Sequence, residues 1–449
     1  MRLTRAFAAI SALAALSWGC GQDVTSPKGL SESSTAVSGD FNYIAKPPYL
    51  QGPSTVSPTA TFPFCSPTII CYTPQFLRAA YNFPANLDGT GQTILIVDAY
   101  GSPSIQSDLA LFDAIFGIPA PPSFTILCPP GGCSPFNPND PHDQASWSLE
   151  TSLDVEYAHA MAPGANIVLV VGSTSSGSAI NSAEAAAIAQ YPGSIMSQSF
   201  GIPEILVSGN NTQIAQAHKN YQTAQATGMT VLASAGDFGA TNGFATANAG
   251  YPASDPLVTG VGGTQGDPYP GGLAGCGTSK CSGRYGGEQV WNEPDVASVP
   301  VATGGAPSAF FGVPSYQGGL GLTSRTVPDV AYNAAINGGV LVIDQTLDPT
   351  HFFLVGGTSA GVPQWAAIVA LANQLKGGSL GFINPALYAI KCSRRRYAAD
   401  FHDITVGNNQ LAGTPVGFNA APGYDFATGL GTPNVANLIQ DLVTPLSCS

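Results

Sequence analysis

The sequence predicts an α/β protein built as a doubly wound parallel sheet with helices on both faces, in a single large domain. Three observations carry that expectation. β-prone runs alternate with helical stretches through the middle of the chain, the pattern of parallel strands joined by crossover helices. Thr93-Ile94-Leu95-Ile96-Val97 is apolar at successive positions instead of every second one, as in a strand buried on both faces. The run from Trp365 to Leu375 is apolar on nearly every side, as in a helix enclosed by a core.

Taken in order, the chain opens with Arg2 and Arg5 ahead of AFAAISALAAL, the pattern of an export signal, and too short to span a bilayer. Leu16-Ser17-Trp18-Gly19-Cys20 resembles a bacterial lipobox, in which the cysteine is lipidated; plain secretion with nearby cleavage competes with it. Residues 1–20 are expected to be a signal peptide, and the protein to be secreted or attached at the cell surface through a lipidated Cys20. Residues 21–70 are Ser/Thr/Pro-rich and read as an N-terminal arm or linker. The alternative is a packed extension anchored by Tyr43, Tyr49 and Phe62. Residues 71–449 are expected to form the domain.

Within it, Thr73 and Pro74 head a helix that runs to about Tyr81. The strand over 93–97 ends at Asp98 and leads to an amphipathic helix from Ile105 to Phe116. Strands over Ile167–Val171, Ser194–Ser199 and Thr230–Ala235 alternate with helices near Ala179–Ala189 and over Thr212–Thr227. Functional residues of such sheets gather at the carboxyl ends of strands, where Asp98 and Asp237 fall.

Only 9% of the 449 residues are charged, against a usual share of roughly 25%. The net charge of −13 comes from 27 acids and 14 bases with no basic cluster, which argues against nucleic acid as a partner. So few charges limit self-repulsion when carboxylates take up protons, which suits an acidic habitat. Nine cysteines include three close pairs, 65/71, 128/133 and 276/281. Local disulfides are expected there, with Cys392–Cys448 tying down the C-terminus, in an oxidising compartment. No tandem C-x-x-C spacing points to zinc.

Three stretches carry chemistry. In Gly356-Gly357-Thr358-Ser359-Ala360-Gly361-Val362-Pro363, a β-prone run (His351 to Val355) meets the buried helix. Ser359 is expected at a strand-to-helix turn, at the helix end that favours developing negative charge. A plain N-cap serine is the alternative. In Ser146 to Gly164, Ser148 is expected to cap a helix that ends at Pro163-Gly164. Glu150 and Asp154 lie four apart on one helix face, beside Leu149, Leu153 and Tyr157. Two carboxylates against an apolar wall repel and are desolvated, which raises at least one pKa and favours shared protons; a solvated acidic face at a helix start, where acids suit the dipole, is the alternative, and the one these residues alone favour. Glu156 lies off that face and is read as solvent-exposed; His159 is read as a packing or surface residue. In the third stretch a strand leads to Gly236-Asp237-Phe238-Gly239, with Asp237 at its carboxyl end among small residues that let a substrate approach; an Asx-turn aspartate holding the loop is the alternative.

Together with Ala162-Pro163-Gly164-Ala165, Tyr251-Pro252-Ala253-Ser254, Val261-Gly262-Gly263-Thr264, Val290-Trp291-Asn292 and Val327-Pro328-Asp329, these stretches resemble the sedolisins, the serine-carboxyl peptidases with a subtilisin-like fold. The likeness covers roughly residues 72 to 445. It implies a nucleophile at Ser359, a base at Glu150, an orienting acid at Asp154 and an oxyanion-hole acid at Asp237. Asp98 would support the acid pair from outside. The chemistry is consistent: a serine needs a base, and at acid pH a histidine is already protonated whereas a glutamate still accepts a proton. Asp237, kept neutral, would donate to the oxyanion beside the Ser359 N–H.

The resemblance extends to Phe401-His402-Asp403-Ile404-Thr405 and Ala421-Pro422-Gly423-Tyr424-Asp425, similar to the family's calcium loops. It implies a Ca²⁺ held by the Asp403 and Asp425 side chains and by carbonyls of Ile404, Ala421 and Gly423, an oxygen-only set suited to that ion. The family usually has Gly where Ala421 stands, and commonly Ser where Phe238 stands. Its members are usually made with a long folded prodomain, and only about fifty residues precede the domain here. Partners implied are protein or peptide substrates, acting on a monomer. A His-dependent subtilisin-like peptidase is the alternative, with His142 the histidine nearest the right region. A catalytically inactive surface binding protein on the same scaffold is the other.

Overall fold

The computed structural model describes residues 39–444 apart from 56–61, 63, 64, 67, 131, 134, 208, 210, 269–284, 297 and 298. The expectations for the signal peptide and Cys20, for the 276/281 pair and for the Cys392–Cys448 pairing fall wholly or partly outside the described residues.

The main sheet is built from β3 (Thr93–Ala99), β4 (Phe124–Leu127), β5 (Asn166–Gly172), β6 (Ile195–Gln198), β7 (Thr230–Ser234), β8 (Thr259–Gly266), β9 (Glu288–Val290) and β10 (Val330–Asn333). Its order is β9-β8-β7-β6-β3-β5-β4, with β10 also pairing β8. All pairings are parallel except β8–β9. Side chains alternate across the pleat. Ile94 and Ile96 enter one core with α2 (Ile105–Phe116), α3 (Gln144–Met161) and α6 (Gly361–Lys376). Leu95 and Val97 enter the other with α4 (Gly177–Gln190) and α5 (Thr212–Ala226). That two-sided burial is why β3 reads as an unbroken apolar run.

α1 (Pro74–Ala80) starts as its sequence dictates: the Thr73 hydroxyl accepts from Phe76 N–H, and Pro74 takes the first helical position. The start of α3 differs from expectation. Its cap is Asp143, in the left-handed region (φ 60°), whose side chain accepts from Ser146 N–H, and Ser148 lies buried inside the helix. Aspartate adopts that conformation more readily than most residues.

A second, four-stranded sheet has the order β1-β12-β11-β2, formed by β1 (Tyr49–Thr55), β2 (Cys71–Tyr72), β11 (Gly339–Val342) and β12 (His351–Val355). β1 belongs to the Ser/Thr/Pro-rich stretch. Phe41, Tyr43 and Ala45 are buried, so this part of the stretch packs against the fold; of the three anchors named for a packed extension, Tyr43 is buried, Phe62 half-buried and Tyr49 exposed. Disulfides join Cys65 to Cys71 and Cys128 to Cys133. No described helix is long and apolar enough to cross a membrane.

The candidate active site

Four segments meet at one cleft: Asp237 and Ser359 line it, and the buried Asp98, Glu150 and Asp154 lie behind Ser359. β3 delivers Asp98, α3 delivers Glu150 and Asp154, the turn after β7 delivers Asp237, and the turn between β12 and α6 delivers Ser359. This is the carboxyl edge of the parallel sheet, where such folds collect functional groups.

Ser359 sits in a single 3₁₀ turn, Thr358–Ala360, ahead of α6. It is 4% exposed and does not cap the helix, so the N-cap reading does not describe it. Gly357 makes the turn possible: its φ is +100°, and a Cβ there would lie 2.7 Å from Asp237 Oδ2. Ser359 Oγ donates to the Ser199 carbonyl at 3.4 Å, and Ser199 Oγ donates to Asp154 Oδ1 at 2.8 Å. Ser199 follows β6 directly. Its place at a strand's carboxyl end was the one sequence signal that could have marked it.

Glu150, Asp154 and Asp98 are all completely buried. Burial drives the Glu150 carboxyl well above its usual range, the nearby Asp154 and Asp98 charges push it further, and the Ser359 hydroxyl partly offsets them. Burial likewise raises Asp98, with Asp154 adding to it, and raises Asp154 against the opposing Ser199 hydroxyl. Both oxygens of Glu150, both of Asp98 and Oδ2 of Asp154 lack a hydrogen-bond partner of proper geometry. Three carboxyls that close cannot all ionise. They share protons, and whichever of them is ionised can accept one.

Asp237 is held by Thr358, whose N–H and hydroxyl both donate to Oδ1 at 2.8 Å. Burial pushes its pKa up to about 6 against those two bonds. Oδ2 is left to carry the proton, with Asp237 and Ser359 both lining the cleft.

None of the five histidines lines this cleft. His159 is wholly buried between Asp113 and the Pro119 carbonyl, His218 pairs with Asp255, His351 with Asp348, and His402 stacks on Tyr285. His142 is exposed in the loop before α3. The geometry therefore lacks the triad that a His-dependent mechanism needs.

Glu156 corrects the sequence reading. It is fully buried, and its carboxylate accepts from the Ile343 N–H at 3.2 and 3.3 Å. Every residue of α3 from Trp147 to Met161 is buried, because the helix is wedged between the main sheet, α2, α6 and the end of β11. Burial and the neighbouring Asp108 raise the Glu156 pKa.

Raised acids recur away from the cleft. Burial lifts Asp344 to about 6, Asp108 to about 7 and Glu184 to about 8. A carboxyl raised by folding holds its proton more tightly in the folded chain. Its contribution to stability is complete below the unfolded value near 4 and is lost as pH rises through the folded value. The melting temperature is therefore expected to fall as pH rises from about 4 to 8. Thermal melts at pH 4, 6 and 8 check this, and a highest value at pH 8 contradicts it.

The two predicted calcium loops are adjacent. Gly423 N–H donates to both oxygens of Asp403 at 3.0 Å, and Asp425 accepts from the N–H groups of Ala421, Ala427 and Thr428. Gly423 has φ +84°, which favours glycine, whereas Ala421 is outside the left-handed region and tolerates its methyl. Among the described residues no three His, Cys, Asp or Glu side chains cluster as metal ligands, so an ion here would draw mainly on carbonyl oxygens. Two carboxylates plus carbonyls fit Ca²⁺ by donor type.

A subtilisin-like sheet with a buried serine beside three carboxyls, and no histidine in the cleft, is the architecture of the serine-carboxyl class. The chain belongs to the sedolisin family. It is 36% identical over 392 residues to kumamolisin from Bacillus sp. (strain MN-32), covering 84% of this chain and 64% of that protein. It is 26% identical over 377 residues to sedolisin from Pseudomonas sp. (strain 101), covering 82% of this chain and 60% of that one. To tripeptidyl-peptidase 1 of Rattus norvegicus it is 29% identical over 414 residues, covering 83% and 64%. The chain thus spans less than two thirds of each of these curated relatives. The solved structure of Pseudomonas sedolisin, a serine-carboxyl proteinase complexed with pseudo-iodotyrostatin, superposes with a TM-score of 0.70 at 25% identity, covering 83% of this chain and 98% of that one. No family model matches the chain.

Proposed function

We propose that the protein is a serine-carboxyl endopeptidase, secreted or surface-anchored, that hydrolyses peptide bonds at acid pH. The observation that carries this is the buried Glu150–Asp154–Asp98 cluster beside Ser359 in a cleft without a histidine. Ser359 Oγ attacks the scissile carbonyl carbon while Glu150 takes its proton. Asp154, steadied by Ser199, shares a proton with Glu150 and fixes its orientation; Asp98 lowers the charge the cluster can hold. Asp237, protonated, donates to the oxyanion together with the Ser359 N–H. Glu150 then returns the proton to the leaving amine, and water repeats the sequence on the acyl-enzyme.

A serine-directed phosphonate should label the folded chain at acid pH, and Ser359→Ala should abolish the labelling. A folded chain that takes no label and cleaves no peptide would instead be a binding protein on this scaffold.

A calcium ion held by Asp403 and Asp425, with the carbonyls of Ile404, Ala421 and Gly423, would tie the two C-terminal loops together. The reading is supported by the juxtaposed loops and their all-oxygen donors. Binding to the folded state alone raises stability, so EDTA should lower the melting temperature and added Ca²⁺ should restore it. An unchanged melt in EDTA contradicts the site.

A further inference from the structure

β6 ends one residue short of the site. Gln198 is its last paired residue, with Val97 of β3 on one side and Ala233 of β7 on the other. Strand pairing resumes at Ile202 with Tyr251 and at Pro203 with Gly250. Ser199 and Phe200 lie between the two ladders and belong to neither, and both line the cleft. Yet Ser199 carries two bonds of the site: its Oγ donates to Asp154 Oδ1 at 2.8 Å, and its carbonyl accepts from Ser359 Oγ at 3.4 Å. The place of Ser199 is therefore set by whatever holds the end of β6.

Successive side chains leave a strand on opposite faces. Ser199 reaches α3, and Gln198 points the other way, between α4 and α5. There Gln198 Nε2 donates to Glu184 Oε1 at 2.9 Å. The Tyr221 hydroxyl lies 3.2 Å from Gln198 Oε1 and 3.4 Å from Glu184 Oε1. Asn220 Nδ2 donates to Glu184 Oε2 at 3.2 Å and to the Asn181 carbonyl at 2.8 Å. Glu184, Gln198, Asn220 and Tyr221 are all buried. Burial lifts the Glu184 carboxyl to about 8 against the Asn220 and Tyr221 bonds, with a smaller push from Asp255, so at acid pH it is neutral. Apolar side chains of similar volume commonly fill such a space at no loss of stability. What apolar packing lacks is direction. A satisfied polar network holds one arrangement of its members, and here it holds the residue next to Ser199.

We propose that Glu184, acting through Gln198, is a positioning residue for peptide hydrolysis: with Tyr221 it fixes the end of β6 so that Ser199 meets Asp154 and Ser359 together. The inference rests on the peptidase reading above and adds residues on the opposite face of the sheet that act through Ser199. Neither Glu184 nor Gln198 lines the cleft. The consequence reaches the acids by one route. The Ser199 hydroxyl favours the ionised form of Asp154. If Ser199 shifts, that donor is lost, and the ionisations of the coupled acids move to higher pH. The acid limb of the pH profile, where the base must be ionised to work, moves with them. KM changes little, because the chain beyond Ser199 is held separately by the pairing of Ile202 with Tyr251.

The test uses the full chain with Glu184→Leu/Gln198→Leu/Tyr221→Phe, which removes the network and leaves no orphan, since Asn220 keeps the Asn181 carbonyl. Its melting temperature at pH 4 is expected to match or exceed the parent's. Its kcat for an added peptide should fall by on the order of tenfold, with KM within about twofold of the parent's. Its acid limb should move to higher pH. Tyr221→Phe alone removes one hydroxyl and is the milder probe should the triple variant fail to fold; it should move kcat and the limb in the same directions by less. In a Ser199→Ala chain, which has already lost the donor to Asp154, Tyr221→Phe should shift the limb no further. A folded variant with the parent's kcat and limb overturns the proposal. So does a lower kcat with an unmoved limb, which means that the network serves the fold alone, and so does a full further shift in Ser199→Ala, which means a route other than Ser199. A parent chain that hydrolyses no peptide at any pH removes the peptidase reading, and the positioning role with it; an active parent with unaltered variants removes this role alone.

Discussion

Ser359→Ala is expected to lower kcat/KM for peptide hydrolysis by roughly 10,000-fold or more while leaving the fold intact. Only a small residual rate from the oxyanion donors and substrate binding should survive. The serine side chain caps no helix, and besides its interaction with Glu150 it makes only the long 3.4 Å bond to the Ser199 carbonyl, so its loss removes little structure. Peptide hydrolysis beside a thermal melt separates the two. A variant that melts normally and retains more than about a tenth of the parent rate contradicts the assignment.

Asp237 should produce the second largest effect, and a pH signature of its own. Its carboxyl, raised to about 6 by burial, is neutral and able to donate below that pH. Above it, the carboxylate repels the oxyanion it is meant to stabilise. The rate should therefore fall as pH rises through about 6. Asp237→Ala should cost roughly 100- to 1000-fold, the usual loss for one oxyanion donor. Asp237→Asn keeps a donor that does not titrate, and should retain more activity and shift the alkaline fall to higher pH. Equal losses in both variants would mean that Asp237 serves the fold and not the oxyanion.

The features legible in the sequence are those set by local physics. The Thr73 cap, the two-sided apolar run of β3 and the glycine turn before Ser359 each depend on residues within a few positions. The Glu150–Asp154 spacing placed both acids on one helix face for the same reason. What the sequence hid came from distant partners. Glu156 looked exposed because its partner, Ile343 N–H, lies 187 residues away in the chain, directly after β11. Ser199 and Thr358 orient Asp154 and Asp237, but a serine and a threonine among small residues carry no distinguishing pattern beyond the place of Ser199 at a strand end. The arm looked like a tether by composition. Its alternating Phe41, Tyr43 and Ala45 were the period-two signal of a strand, short and outnumbered by Ser, Thr and Pro. Ser148 lost the cap to Asp143 because a left-handed cap depends on the entry of the preceding loop, which helix-start patterns do not encode.

The most direct measurement is peptide hydrolysis from pH 2 to 9 by the parent chain and by Glu150→Gln. A carboxyl base predicts a maximum at roughly pH 3–5, and a loss of about 100- to 10,000-fold in Glu150→Gln across the whole range. A rate peaking near neutral pH and surviving in Glu150→Gln would contradict the carboxyl-base mechanism.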